Sequence, residues 1–241
     1  GDKLVIAETK ELSADTNVPK QSRSLQRSGS TYDEVWLQNE IDNAVADGTV
    51  ELLGDVVLSA EVILPNKNIT INGNDYTISL EENYHGKHFN ANSKHGIHIF
   101  KNVTLLGQNT DNPGTMNNGR ITGGGIIAGG SKLNTIVFDN CKVKGIHSTT
   151  SGAVVKLDNS PFIVKNNTVI TQNSSDSNGG VLDMNNGHIE IYDSSMSYNS
   201  SYGGAGGVGH IPYGDGATAY YSEFSYNYAA HEGGAFGAVW S

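Results

Sequence analysis

FSYNYAAHEGGAFG, residues 224–237, sets the pattern of this chain: a phenylalanine three places before an asparagine, then a glycine pair followed by alanine. Upstream, MSYN stands at 196–199 with GGV at 206–208, and ITQN at 170–173 with GGV at 179–181. Gly125, Gly152, Gly180, Gly207 and Gly234 lie 27, 28, 27 and 27 positions apart. Val143, Ile170, Met196 and Phe224 lie 27, 26 and 28 apart, and the residues three later are Ile146, Asn173, Asn199 and Asn227. Asn140, Asn166 and Asp193 form a third column at 26 and 27. Three registers in step mark a repeat.

A period of this length in β-rich sequence predicts a solenoid. Each coil holds about three short strands, and coils stack roughly 4.8 Å apart. Val154, Leu157, Ile163, Val169, Val181, Ile189 and Ile191 are expected to fill the interior. The glycines suit a corner that needs positive φ or close approach to the next coil. The asparagines are expected to stack, each amide bonded to its neighbours above and below. The fold class expected is all-β, a right-handed parallel β-helix spanning residues 49–241, preceded by a short capping helix at 31–48.

The bulk numbers agree. Of 241 residues 37% are hydrophobic and 17% charged, with 30 glycines, so turns are frequent and generic disorder is disfavoured. A net charge of −10 makes nucleic acid or an anionic membrane surface a poor partner. No apolar run approaches the ~18 residues of a membrane span. GDKLVIAETK at 1–10 lacks the cationic start and apolar run of a secretory leader. The single Cys141 excludes an internal disulfide and reads as a small buried hydrophobe.

Residues 1–30 are polar and read as a flexible N-terminal segment. In TYDEVWLQNEIDNAVADG, Ser30 or Thr31 can cap a helix whose apolar stripe runs through Trp36 or Leu37, Ile41 and Ala44–Val45, with Gly48 as its stop. That helix is placed to cover the first coil's open edge. GGAFGAVWS at 233–241 starts another coil without a polar cap, which predicts a fragment of a longer protein.

The alternating F-x-x-N and G-G-[A/I/V] elements resemble repeats of chlamydial polymorphic outer-membrane proteins and related bacterial adhesin-like proteins. FSYN with GGAF matches best, and Ile146 departs from the pattern. DGTVELLGDVVLSAEVILPNKNITINGNDYTISL, from residue 47, is similar to the opening coils of pectate-lyase-like β-helices in bacterial surface proteins. The resemblance covers about residues 31–241. It implies a protein displayed outside the cell on a bacterial surface, attaching to other surfaces.

Several members of that superfamily cleave acidic polysaccharides, so a lyase or glycoside hydrolase stays open. Beyond residue 30 the sole arginine is Arg120, and the lysines sit in no evident acidic cluster. Asn109-Thr110-Asp111 matches the hydrolases' first element by letter, but no aspartate pair follows and both His-Gly pairs precede it. YHGKHFNANSKHGIH carries His85, His88, His95 and His98 as two H-x-x-H pairs. These could hold zinc if a loop gathered them; the plainer reading is a surface loop leading into a strand. No D-x-D-x-D-G loop signals calcium, although an acidic chain can attract it.

Eight of the eleven tyrosines lie beyond residue 190. Tyr198 and Tyr226 occupy equivalent positions, expected as an internal or corner stack. GAGGVGHIPYGDGATAYY, 204–221, reads as an inserted exposed loop beside a tyrosine platform for sugar rings. The candidate ligand-binding residues are therefore Tyr202, His210, Tyr213, Asp215, Tyr220 and His231, with no catalytic or metal residue assigned. The function expected is non-catalytic binding of a glycan or a host or matrix protein by a monomeric cell-surface adhesin fragment. A structural stalk is the third reading.

Overall fold

The computed structural model describes residues 32–109, 119–129, 134–213 and 216–237. Seven coils stack in register as a parallel β-solenoid. Sheet I takes Gly48–Glu51, Ile69–Asn72, Gly96–Lys101, Asn134–Asp139, Phe162–Lys165, His188–Tyr192 and Gly216–Tyr220, one strand from each of coils 1 to 7. Sheet II takes Val56–Leu58, Thr77–Leu80, Thr104–Leu106, Lys142–Lys144, Val169–Thr171, Ser195–Ser197 and Glu223–Ser225. Sheet III runs from Val62–Ile63 through Phe89–Asn90, Ile126–Ala128, Val155–Asp158, Leu182–Asn185 and Gly209–His210 to Phe236–Gly237. Coils 4 to 7 add a fourth, two-residue side, sheet IV: His147–Ser148, Ser174–Ser175, Ser200–Ser201 and Tyr228–Ala229. The expected three strands per coil thus hold only for the first three coils.

The extra side follows from one corner. Gly145, Gln172, Tyr198 and Tyr226 all take positive φ, between 54° and 72°. Each turns the chain so that the next residue points inward. In coils 5 to 7 that residue is the ladder asparagine. Asn173 donates to Asn199 at 3.0 Å, and Asn199 to Asn227 at 3.1 Å. Each side-chain oxygen also accepts the backbone N–H one coil below: Ile146 to Asn173, Asn173 to Asn199, and Asn199 to Asn227. Each amide further donates to a strand carbonyl, of Val143, Ile170 or Met196. Buried polar groups persist when paired in this way. Ile146 belongs below the ladder because only its backbone N–H is needed there.

The glycine column slips relative to the sequence reading. Val155 pairs with Leu182, which sets Gly152 level with Gly179 and not Gly180. Gly152, Gly179, Gly206 and Gly233 share a φ of 64–72°, and a Cβ on any of them would strike the carbonyl three residues on. Ala153 occupies the second place, with Gly180, Gly207 and Gly234 above it.

The core is apolar and, in coils 2 to 5, aromatic. Phe89, Phe100, Phe138 and Phe162 are fully buried, with successive ring centroids 4.9, 5.7 and 5.4 Å apart. Val154, Leu157, Val181, Ile189 and Ile191 lie inside as expected. Ile163 and Val169 do not: Phe162, Val164 and Ile170 take the inward positions and alternation turns their neighbours out. Cys141 is buried, its thiol pushed up to about 12 by burial.

The N-terminal cap is shorter than the 31–48 expected. Tyr32–Asp33 pairs with the first sheet II strand, and helix α1 spans Glu34–Asn43. Asp33 is the cap, accepting the Trp36 N–H at 2.9 Å. Thr31, Ser30 and the segment 1–30 lie outside the described residues, as do 238–241. Ala44 leaves helical geometry at ψ 138°, while the Lys67 ammonium donates to the carbonyls of Asp42 and Ala44. Leu37 and Ile41 plug the core. Gln38 satisfies both the N–H and the C=O of Ile63, and Glu34 takes the N–H and hydroxyl of Ser59, so side chains close the first coil's edge. The Ser59 backbone bond holds the Glu34 carboxyl below its ordinary range.

Candidate functional site

Between sheets I and II the chain turns on a column of left-handed residues: Asp75, Asn102, Asn140, Asn167, Asp193 and Tyr221, with φ between 44° and 66°. Asparagine and aspartate tolerate this conformation best after glycine. The next residue of each coil goes inward, as Cys141, Thr168 and Ser194 show by their burial. A continuous shallow furrow follows this corner up the solenoid. Its lower part, about 320 Å³, is lined by Asp75, Asn102, Thr104, Asn140, Lys142 and Asn167. Its upper part, about 620 Å³, is lined by Asn167, Val169, Asp193, Ser195, Tyr221 and Glu223. Asn167 lies in both, so the two parts form one track.

The two parts differ in chemistry. In coils 2 to 4 the amides are tied to one another: Asn140 donates to Asn102 at 2.7 Å, Asn102 to Asn72 at 3.1 Å, and Asn72 to Glu51 at 2.8 Å. In coils 6 and 7 tyrosines take over. Tyr192 and Tyr220, at the sheet I ends, stack at 5.6 Å and 8°. Tyr198 and Tyr226, at the far edge of sheet II, stack at 4.8 Å and 9°. Tyr221 is 91% and Tyr226 76% exposed. The Tyr192 hydroxyl donates to Glu190 at 2.9 Å, and that bond raises its pKa.

Three of these tyrosines, Tyr198, Tyr221 and Tyr226, hold positive φ where the equivalent places below use Gly145, Gln172, Asn140 or Asn167. A left-handed L-residue costs about 1–2 kcal/mol. Backbone strain clusters at functional sites, and Tyr221 and Tyr226 carry theirs with the ring exposed.

The residues singled out from the sequence are dispersed. Tyr220 adjoins the furrow. His210 stands on sheet III with its Nδ1 2.8 Å from the Asp183 carboxylate. Tyr213 is exposed at the corner leading from sheet III to sheet I. Tyr202 is buried, its hydroxyl accepting from Arg120 Nε at 3.0 Å. His231 is exposed between sheets IV and III, its backbone N–H bonded to Gly204. Asp215 lies outside the described residues. The stretch 204–221 is no inserted loop, for it contains the strands Gly209–His210 of coil 6 and Gly216–Tyr220 of coil 7.

The inserted segment is 107–125, between the sheet II and sheet III strands of coil 3. Its described end carries Arg120 over sheet IV to Tyr202, and Gly123 bridges to His147. His147 bonds the Ser174 hydroxyl at 2.9 Å and lies 3.6 Å from Asp176; burial lowers its pKa against the opposing pull of Asp176. Nearby Lys87 is lowered to about 8, chiefly by burial.

In the histidine-rich stretch, His88 accepts the Gly125 N–H at 2.9 Å on Nδ1 and donates from Nε2 to Leu106. His98 is bonded to Asn134 and Pro65. Both are inside, and Ile97 faces out, the reverse of what side-chain polarity suggests. Burial lowers the pKa of both, that of His88 to about 4. Among the described residues no three His, Cys, Asp or Glu side chains converge on a common point.

Fold and site together define the class: a parallel β-helix with a polar, aromatic-ended furrow along one corner. No family model, curated protein or solved structure matches this chain.

Proposed function

We propose that this protein is a non-catalytic glycan-binding segment of a bacterial cell-surface adhesin, and that an extended glycan chain lies in the furrow between sheets I and II. The observation that carries this reading is the set of strained, exposed tyrosines, with Tyr221 lining the upper furrow. Aromatic faces stack on the apolar faces of sugar rings, and amide and hydroxyl side chains meet the hydroxyls at the rims. The coil rise of about 4.8 Å is close to the advance per residue of an extended hexopyranose chain, so successive coils can read successive sugars. Each contact is weak; display of many copies on a cell raises avidity. Placement outside the cell and action as a monomeric rod belong to the same proposal.

The test is a glycan array probed with the purified chain, with and without calcium, beside Tyr221→Ala and Tyr220→Ala. Specific binding lost in Tyr221→Ala supports the furrow. A blank array redirects the reading to a host or matrix protein ligand or to a stalk. Shortened products released from a bound polysaccharide point to a lyase or hydrolase, with Arg120, His147, Asp176 and Lys87 the groups to substitute.

A further inference from the structure

Charge is segregated along the chain. Lys165 is the last lysine or arginine, and residues 166–241 carry seven acidic side chains. The same third holds eight of the eleven tyrosines. The fold brings this bias to the furrow. Lys142 lines its lower part, and Lys101 and Lys165 stand in the rim column that Tyr192 and Tyr220 continue. The upper part has Asp193 and Glu223 as its charged lining groups and Tyr221 as its aromatic one. Lys165 is turned to Asp139 in the coil below, its ammonium 3.6 Å from that carboxylate. The sole side-chain cations that residues 166–241 can offer are those of protonated histidines. His188 lies beside Glu190, 3.9 Å away, His210 stands on sheet III, and His231 in the loop between sheets IV and III.

This end of the furrow is therefore matched to one sign of charge. A polyuronate or sulfated chain running its length would bring anions onto Asp193 and Glu223. A neutral glycan would use the rings and amides but leave both carboxylates to water. A glycan bearing ammonium groups would use everything: a carboxylate accepts from N⁺–H, and an exposed tyrosine face attracts the same cation.

We propose that the furrow over coils 5 to 7 selects cationic amino sugars, that is, a hexosamine chain with free amino groups. The proposal rests on the glycan reading above and adds the class of sugar to it.

The experiment titrates the chain, by calorimetry at low salt, with four probes. They are a glucosamine oligomer, the matched N-acetylglucosamine oligomer, an oligogalacturonate and oligolysine. Deacetylation is expected to tighten binding about tenfold at a pH where the amine is protonated, with the gain screened by salt. Asp193→Asn with Glu223→Gln should abolish that gain, so that the glucosamine oligomer binds no tighter than the acetylated one. Asparagine keeps the left-handed turn at 193, and both side chains are on the surface, so the fold survives. Tyr221→Asn should weaken both oligomers.

Equal affinity for the two oligomers, or a gain that survives the double substitution, overturns the charge selection while the glycan reading stands. Oligogalacturonate binding best overturns it as well. Oligolysine binding as tightly as the glucosamine oligomer shows that the surface reads cations on a peptide, which overturns the sugar. Silence from all four sinks both readings.

Discussion

Exposed aromatic rings gather at one end of this solenoid. In coils 2 to 5 four phenylalanines stack inside, tilted or edge to face, and the exterior corner is tied by amides. In coils 6 and 7 the same kind of chain puts two parallel pairs of tyrosines outside, while Ile189, Ile191, Met196 and Asn199 fill the interior of coil 6 and Phe224 meets Phe236 edge to face against the core in coil 7. One region uses aromatic area to hold coils together; the other exposes it in a conformation that tyrosine disfavours. The lower coils read as scaffold and the upper coils as the presenting end.

Four tests can break or sharpen that contrast. Phe138→Ala removes the middle of the interior stack and should cost about 4 kcal/mol, read from the denaturant midpoint; Tyr220→Ala should cost less than about 1 kcal/mol. Comparable losses would erase the distinction between the two stacks. Asn199→Ala leaves the amide groups of Asn173 and the Ile170 carbonyl without this partner, while the Asn227 oxygen keeps the backbone N–H of position 199. Its cost should be about 3 kcal/mol, and a neutral result would mean water replaces the ladder.

Acid should weaken the scaffold end through its buried histidines. His88 titrates near 6.5 when unfolded and about 4 when folded, because burial opposes its charge. The unfolded chain then binds the proton first. The stability at stake is fully present above pH 6.5 and is lost as pH falls towards about 4, on the order of 3 kcal/mol from this group. His98 and His147 act in the same direction. Stability measured across that window should fall, and His88→Gln, which can accept from Gly125 and donate to Leu106, should flatten the slope; an unchanged slope removes His88 from the account.

The smallest effect has the opposite sign. Tyr221→Asn relieves a left-handed tyrosine and should raise stability by about 1 kcal/mol while weakening glycan binding. A loss of stability would show that the ring packs for the fold.

The repeat was legible because side-chain columns recur wherever coils must stack. Val143, Ile170, Met196 and Phe224 do share one column, and the asparagines three later do form a ladder. The furrow's own column was half visible: Asn140 and Asp193 stand in it, but the pairing of Lys142 with Val169 puts Asn167 there and not Asn166, and nothing in spacing says which side of the wall a register lines. Of the two places open to the Tyr198–Tyr226 stack, inside or corner, the structure takes the corner. Tyr198 and Tyr226 are two places after inward Met196 and Phe224, so plain alternation puts them inside.

Sequence alone determined the coil, its period and its cap, because hydrophobic spacing and stacked amides are local and repetitive. The tertiary structure decided facing and company. A single residue of positive φ resets alternation, as at Tyr198, Tyr221 and Tyr226, and a slip of one residue exchanged Ile163 with Phe162 and Gly180 with Gly179. Stacking also joined residues from successive coils, so that Asn167, Asp193 and Tyr221 share one furrow although 26 and 28 positions separate them.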